Sequence, residues 1–257
     1  MSTIVMLNKN ENNNIRHLFK DIPLGWDVIF NASIDYGFVL ADNAEQPNVA
    51  LSFLSGCILY GGDANHSLAR DLVRSMEVQP GILSYPENWA ALIKDEYKEK
   101  AKLETRYYLP FDSLDKERLL SIDLSTNNGY RIERINEQLA EKLKDEIGEE
   151  YQIYHYLSLR DFAEKGCGFC ITNGNEICSA AAAFLRSGNK IQVQVNTKQQ
   201  YRHQRMATKT SACMLRYCLE NGITADWDAA NTHSRDLAYK LGYTKCISYE
   251  VISVFPE

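Results

Sequence analysis

Residues 191–243 constrain the fold most strongly, because strand and helix patterns alternate there around one cationic turn. The run IQVQVNT alternates as a strand does and ends at Thr197, and the polar turn KQQYRHQRMATK follows it. A helical pattern covers residues 207–220, and TADWDA then reads as a second short strand before NTHSRDLAYKLGY. This order predicts two parallel strands joined through a helix, because parallel neighbours need a crossover connection.

The cationic turn suits a bound anion. It carries Lys198, Arg202, Arg205 and Lys209 and no acidic residue, in a chain whose net charge is −6. Backbone N–H groups at a helix N-terminus point at an anion, and the helix dipole favours negative charge there. We therefore predict that the turn binds a phosphate-bearing cofactor; the alternative is a solvated basic turn.

The composition predicts a globular protein that binds no nucleic acid and does not enter a membrane. The chain of 257 residues is 45% hydrophobic and 24% charged, enough for one large or two small domains. Its acidic balance argues against nucleic acid as a partner, and no apolar run approaches the roughly 20 residues that span a bilayer. The polar start differs from a signal peptide, and the seven cysteines are scattered. We expect a cytoplasmic protein with reduced thiols.

Periodicity predicts further elements on both sides of a loop-like stretch. Before the loop-like stretch they are a strand pair at 49–62, a helix at 66–76, and a long helix from 87 that runs into a strand at 106–109. After it they are a strand at 129–135, a helix that Gly148 ends, and a second helix at 154–165. A hairpin that turns at Asn173 and Gly174 follows, and the last strand covers 245–254.

Loop residues near 115–128 suggest two domains, an α/β domain at 1–120 and a second domain at 121–257. The first domain carries no recognisable motif. Tyr107 and Tyr108 lie close to the boundary. They face either a cleft between the domains or a core.

The cationic turn resembles the pyrophosphate-binding motif of the GNAT superfamily of acetyl-CoA-dependent N-acetyltransferases. That motif reads Gln or Arg, two free positions, Gly, one free position, then Gly or Ala. Arg202 takes the first position here, Ala207 the last, and Arg205 replaces the middle Gly. A second block of the superfamily is matched further on by Asn231, Ser234, Leu237, Lys240, Leu241, Gly242 and Tyr243. The phrase WDAxN at 227–231, with GCGFC before it, resembles the zwittermicin-resistance-like branch.

The resemblance implies an α/β (α+β) protein with the GNAT acyl-CoA-binding fold, a mixed sheet flanked by helices, and an additional N-terminal α/β domain. It implies acetyl-CoA as the acetyl donor and no metal. In such proteins the pantetheine lies between two diverging strands and the pyrophosphate lies on the turn. The implied cofactor-binding residues are Val195, Asn196, Thr197, Arg202, His203, Gln204, Arg205, Met206, Ala207, Thr208, Asn231 and Ser234.

Arg205 is the main departure from the motif. Glycine at that position lets the backbone approach a phosphate closely. An arginine keeps that approach if its φ is negative, and it adds a cation. The alternative is a turn that binds coenzyme A poorly.

Asp228 and Ser234 are the predicted catalytic residues. Strand alternation puts Asp226 and Asp228 on the face opposite Trp227, where Asp228 reaches the amine or holds it by charge. The alternative for Asp228 is an exposed acid at a strand end, and Glu176 is a weaker candidate for the base.

Many members of the superfamily carry a tyrosine as the acid where this chain has Ala238. Tyr239 lies about 100° further round the helix and points elsewhere. Ser234 or a water molecule is left to protonate the thiolate. Asn231 also fits the N-cap of the last helix, with or without a cofactor contact.

Cys167 and Cys170 form a CxxC pair, which His155 and Cys178 could complete as a metal site. One CxxC is weak evidence for zinc. Cysteine in an apolar strand is usually a small core residue. We therefore predict no metal.

Together these features predict the transfer of an acetyl group from acetyl-CoA to an amine of a small-molecule acceptor. The resemblance suggests an aminated natural product or antibiotic. The alternative is a non-catalytic acyl-CoA-binding regulatory protein with a GNAT fold, which Arg205 and Ala238 favour. A homodimer is left open.

Overall fold

The computed structural model describes residues 3–23, 25–76, 81–127, 129–147, 156 and 158–254. The chain divides into two compact units. Unit 1 comprises residues 1–106 and 248–257, and unit 2 comprises residues 107–247. Both are mixed α/β with helices on a sheet, which confirms the predicted fold class. The predicted domain boundary near residue 120 stays a prediction.

The described residues of unit 1 hold, wholly or mostly, these strands and α-helices: β1 (Val5–Met6), α1 (Asp27–Tyr36), β2 (Phe38–Ala41), β3 (Val49–Leu54), β4 (Cys57–Gly62), α2 (Ala69–Arg74), β5 (Gly81–Ser84), α3 (Ala90–Tyr97), β6 (Ala101–Leu109) and β12 (Ile247–Val254). A 3-10 helix at Asn12–Phe19 precedes α1. The strands follow the order β1-β2-β3-β4-β5-β12-β6. The predicted strand pair is confirmed as the β3–β4 hairpin, and β4 runs parallel to β5.

The long helix predicted from residue 87 is wrong beyond Tyr97. The helix α3 ends there, Lys98 has φ +46°, and β6 begins at Ala101. The residues KEKAKLET favour a helix by intrinsic propensity. Pairing in the sheet overrides that preference, and the Ser253 hydroxyl of β12 donates to Glu104 Oε2 at 2.7 Å.

Trp89 closes the end of β4 in unit 1. Its ring stacks on Tyr60 with 5.1 Å between centroids, and both side chains are fully buried. Its indole Nε1 donates to the Gly62 carbonyl at 3.1 Å. The backbone pairs of β4 with β5 stop at Leu59 and Ser84, so Trp89 covers the stretch of β4 beyond them.

Besides the end of β6, unit 2 has the following α-helices and strands in the part of the chain that the structure describes: α4 (Lys116–Leu120), β7 (Tyr130–Arg134), α5 (Glu137–Glu146), α6 (Leu159–Lys165), β8 (Gly168–Asn173), β9 (Glu176–Ser187), β10 (Lys190–Thr197), α7 (Met206–Glu220), β11 (Trp227–Ala229) and α8 (Thr232–Leu241). Antiparallel strands form a sheet of order β10-β9-β8-β7, and β11 pairs with the end of β6. Residues 148–155, which include part of the predicted second helix and Gly148, lie outside the described residues.

A run of alanines in β9 lets helices approach both faces of this sheet. Ala180 and Ala182 are buried with residues of α5 and α6, whereas Ala181 and Ala183 are buried with residues of α7. A strand of such small side chains adds little thickness to the sheet. The position of α7 at the end of β10 depends on this close packing.

The loop-like stretch near residue 120 contributes to unit 2. The buried Leu119 of α4 belongs to the core around α7. The Arg216 Nη2 atom of α7 donates to the carbonyl oxygens of Leu119, Leu120 and Ile122 at 2.8–3.0 Å. The segment is therefore fastened to the helix that the cationic turn opens.

One order of elements occurs twice along the chain. Each copy has a strand, two helical segments, three antiparallel strands, a helix, a strand that follows a parallel pairing with the third of these, a helix and a strand, and the last strand of the second copy, β12, belongs to unit 1. The order read from β1 to β6 thus recurs from β7 to β12.

Replacing Trp89 by alanine removes a fully buried aromatic side chain and its hydrogen bond to Gly62. We expect the free energy of unfolding to fall by about 3–5 kcal/mol, as for other buried aromatic truncations. Urea unfolding followed by circular dichroism measures the change. Tyr36→Ala, at a tyrosine that is 51% exposed, is the control and should change stability by less than about 1 kcal/mol. Equal losses in both variants would contradict the described packing.

Candidate active site

Strands β10 and β11 begin side by side and then diverge. Among the described residues, β10 has a parallel backbone bridge at Lys190 to Thr224, three residues before β11 begins, and the Ile191 N–H donates to the Thr224 carbonyl there at 2.9 Å. Beyond it β10 pairs with β9, and β11 pairs with β6. In the described part of the chain, residues 195–197 therefore have a strand neighbour along one edge only. Such an edge can accept the amides of an extended ligand arm.

The side chains of β10 alternate between two faces. Val193 and Val195 pack against the core around α7. Asn196 lies opposite Ala180 in the strand register and shares the other face with it. The Asn196 side-chain nitrogen is buried without a hydrogen-bond partner among the described residues. The Thr197 hydroxyl lies 2.8 Å from the Ser179 hydroxyl.

The turn after β10 contains two left-handed residues. His203 has φ +63° and Arg205 has φ +62°. Arg205 therefore does not have the negative φ on which a close approach of its backbone to a phosphate was made conditional. The chain turns into α7 at Arg205, which is its N-cap, and this turn needs the conformation that glycine adopts without cost. Left-handed residues with side chains cost roughly 1–2 kcal/mol, and such strain persists chiefly at functional sites.

The residues of the turn divide between solvent and core. Arg202, His203, Gln204 and Arg205 are exposed. Met206 is buried with Ile171 and Cys178, so its side chain serves packing. Ala207 and Thr208 are half-buried in the first turn of α7. The structure thus brings the predicted turn residues together at one helix N-terminus.

Acidic residues from distant parts of the sequence lie beside three of the four cations. The Lys198 Nζ atom is 3.0 Å from Glu146 Oε2 and 3.0 Å from Glu176 Oε1. Hydrogen bonds from Ser125, followed by the charges of Lys209 and Arg205, lower the pKa of the Asp123 carboxyl. The positive charge of the turn is therefore partly compensated, which its own sequence does not reveal.

Asp226 and Asp228 flank Trp227, and they have different surroundings. Their place on the face opposite Trp227 stays a prediction, because β11 begins only at Trp227. Asp226 is buried and its Oδ1 accepts the Phe111 N–H at 2.8 Å, which is a structural role. Asp228 is half-buried, and the Gln192 Nε2 atom donates to its Oδ2 at 3.4 Å. This contact joins β10 and β11 past their bridge.

Tyr107 and Tyr108, near the end of β6, face opposite sides of that strand. Tyr108 is in register with Asp228 and shares its face. Tyr107 is in register with Ala229 and lies under the Arg235 guanidinium, 4.9 Å from its ring centroid.

The start of α8 is held by two hydrogen bonds that also order the candidate residues. The Asn231 Oδ1 atom accepts the Ser234 N–H at 3.0 Å, which confirms the N-cap. The Ser234 hydroxyl accepts the Trp227 indole N–H at 3.0 Å, so its own proton remains available to another acceptor. Ala238 is buried and offers no proton, and Tyr239 is 36% exposed.

Glu176 is poorly suited to act as a base. Its carboxylate accepts the Tyr201 hydroxyl at 2.7 Å, the Lys198 ammonium at 3.0 Å and the Gln200 amide at 3.3 Å. The Tyr201 hydrogen bond, and then Lys198, lower the pKa of the Glu176 carboxyl. An acid of lowered pKa is a weaker proton acceptor.

The cysteine pair is not gathered into a metal site in the described residues. Cys170 is buried, and burial raises the pKa of its thiol to about 12. The Cys167 sulfur lies 3.9 Å from the sulfur of Cys218, a residue of α7. Over the described ranges no group of three His, Cys, Asp or Glu side chains could hold a metal ion, and His155 lies outside them.

Sequence reasoning missed two parts of this site. One is Gln192, and the alternation of Gln192, Gln194 and Asn196 along one strand was an available signal. The other is the group around Glu176, whose members are separated by up to 52 positions.

No helix among the described residues is long and apolar enough to cross a bilayer.

Known proteins are similar to this chain over nearly its whole length. The N-acetyltransferase YdfB of Bacillus subtilis, itself uncharacterized, is 23% identical over 263 residues, covering 98% of both chains. A GCN5-related N-acetyltransferase-like protein from Streptococcus suis superposes with a TM-score of 0.82 at 23% identity, covering 96% of this chain and 99% of the other. A tandem GNAT protein from the clavulanic acid biosynthesis pathway gives 0.61 at 11% identity, with 98% and 97% covered.

The predicted GNAT fold is confirmed by these structures. The model of one family, GNAT acetyltransferase, matches residues 16–252. Enzymes of this family use acetyl-CoA as the acetyl donor. The match spans both units, so the chain as a whole belongs to the GNAT acetyltransferase family.

Proposed function

We propose that this acetyltransferase moves the acetyl group of acetyl-CoA to an amine of a small-molecule acceptor. The divergence of β10 and β11 directly before the arginine-bearing turn of α7 carries the proposal. It supplies a strand edge for an extended arm and a helix N-terminus for phosphates along one path.

The donor lies along this path. The pantetheine pairs with the backbone of residues 195–197, and the Asn196 side-chain nitrogen gains the acceptor that the described residues do not supply. A buried donor without a partner costs about 1–3 kcal/mol, which a ligand recovers. The pyrophosphate takes the amides of residues 203–208, with Arg202 and Arg205 as cations.

The acceptor amine approaches from the face of Asp228. A neutral amine nitrogen attacks the thioester carbonyl carbon, the C–N bond forms, and the C–S bond breaks to release the coenzyme A thiolate. Asp228 takes the amine proton or holds the amine by charge. The thiolate receives a proton from Ser234 or from water. Holding the two reactants together supplies much of the rate.

A non-catalytic acyl-CoA-binding protein is the second candidate. Ala238, buried where many relatives place a tyrosine, favours it. A natural-product or antibiotic amine as the acceptor, the zwittermicin-resistance-like branch, a cytoplasmic location and a homodimer remain proposals. Acetyl-CoA binding separates both candidates from a scaffold of another function, and turnover separates them from each other.

Arg202→Glu places a negative charge at the phosphate position. We expect wild-type protein to bind one acetyl-CoA per chain in isothermal titration and the variant to bind about tenfold more weakly, since charge at a helix N-terminus is worth about 1–2 kcal/mol. Arg160→Glu makes the same change of charge on α6 and should leave binding unaltered. An absence of binding to the wild type would overturn the proposed function.

Arg205→Gly and Arg205→Ala separate backbone conformation from charge. Both remove the cation, but only glycine adopts φ +62° without cost. We expect the glycine variant to be more stable than the alanine variant by about 1 kcal/mol in urea unfolding. Equal stability would show that the left-handed turn is not kept in solution.

Asp228→Asn tests the acceptor side. With an amine found by screening thiol release from acetyl-CoA, we expect kcat/KM to fall by about 10²–10⁴, with acetyl-CoA affinity unchanged. Asp226→Asn removes a charge two positions away, keeps an oxygen that can accept the Phe111 N–H, and should have a much smaller effect. If both variants kept wild-type rates, Asp228 would have no role in the chemistry.

A further inference from the structure

We propose that Glu176 is a positioning residue for the cofactor turn, residues 198–205, which it holds in its binding conformation through Tyr201 and Lys198. This inference rests on the proposed function, because it concerns the same site. It assigns a role to three residues outside the motif and outside the reacting groups.

The carboxylate of Glu176 gathers the first half of the turn. It accepts the Tyr201 hydroxyl at 2.7 Å, the Lys198 ammonium at 3.0 Å and the Gln200 side-chain amide at 3.3 Å. All three donors lie between β10 and the left-handed residues. One side chain at the start of β9 thus fixes three of the first four residues of the turn.

The ring of Tyr201 is held from its apolar side as well. It packs against the small core formed by Ile171, Cys178 and Met206. Tyr130 meets it edge-on, with 6.3 Å between ring centroids. The ring is therefore held by packing against β8, β9 and α7, and the hydroxyl is held by its hydrogen bond to Glu176.

A second carboxylate completes the attachment. Glu146, at the end of α5, accepts the Lys198 ammonium at 3.0 Å and the Ile177 N–H at 2.7 Å through Oε2. The Lys198 backbone N–H also donates to the Cys178 carbonyl at 3.0 Å. Lys198 therefore attaches the turn to two carboxylates. Arg202 and Arg205 are the cations of the turn that bind the phosphates in this proposal.

The ionisation states fit this role. The hydrogen bond to Glu176 raises the pKa of the Tyr201 hydroxyl to about 12, so the phenol stays a donor. Tyr201 and Lys198 lower the pKa of Glu176, so its carboxylate stays an acceptor.

Fixing the turn before ligand arrives matters because the conformation it must keep is costly. His203 and Arg205 are left-handed without being glycine, and both follow Tyr201 within four residues. A turn that must be ordered on binding loses affinity for the ligand. Attachment at Glu176 reduces the conformations open to residues 202–205 in the free protein.

Glu176→Gln and Tyr201→Phe test the inference with small changes. We expect each to raise the acetyl-CoA Kd and KM by about fivefold to tenfold while kcat at saturating acetyl-CoA stays within about twofold, since only binding is affected. The double variant should bind no more weakly than the weaker single variant, because both remove one interaction. Glu164→Gln, at another exposed carboxylate that carries an ion pair, is the control.

Hydrogen exchange of the ligand-free proteins gives a readout that does not need acetyl-CoA. Amides of residues 198–208 should exchange faster in Glu176→Gln and Tyr201→Phe than in wild type, with unchanged urea midpoints. Exchange at the wild-type rate in both variants would overturn the positioning role. If the wild type binds acetyl-CoA, the same affinity in both variants would also overturn it. Failure of the wild type to bind, with faster exchange in the variants, would overturn the proposed function and support the attachment.

Discussion

The site in unit 2 depends on the number of hydrogen-bonding neighbours that β10 has. A strand inside a sheet satisfies its backbone groups along both edges, and a strand that loses one neighbour leaves an edge for something else. The partner of β10 at its start leaves after a single bridge, between Lys190 and Thr224. Strand β10, the turn and the N-terminus of α7 follow one another along the chain. The loss of one strand neighbour after this bridge therefore fixes the location of all three.

Local sequence signals predicted much of the structure of unit 2. They failed where contacts with residues distant in the sequence determine the local structure. The spacing of Asn231 gave the N-cap of α8. The helical pattern from residue 207 predicted the start of α7 to within one residue of its observed start at Met206. Each of these depends on neighbours within a few positions, which a sequence shows directly.

The failures have specific physical causes. The helix predicted beyond Tyr97 was built of strong helix formers, and pairing in the sheet outweighed their propensity. The sign of φ at Arg205, which the sequence left open, is set by the path of the chain into α7. The partners of Lys198 come from α5 and β9, and no local pattern marks them.

The alanines of β9 limit how such a protein can diversify. Ala180–Ala183 are fully buried with helices against both faces, and a larger side chain there costs about 1–3 kcal/mol through overpacking. Mutations that alter substrate range while keeping the fold are therefore excluded from the centre of the sheet. Such mutations are expected in β10, β11 and the connections around them. The alanine strand β9 therefore stays constant while the neighbouring region can change in evolution.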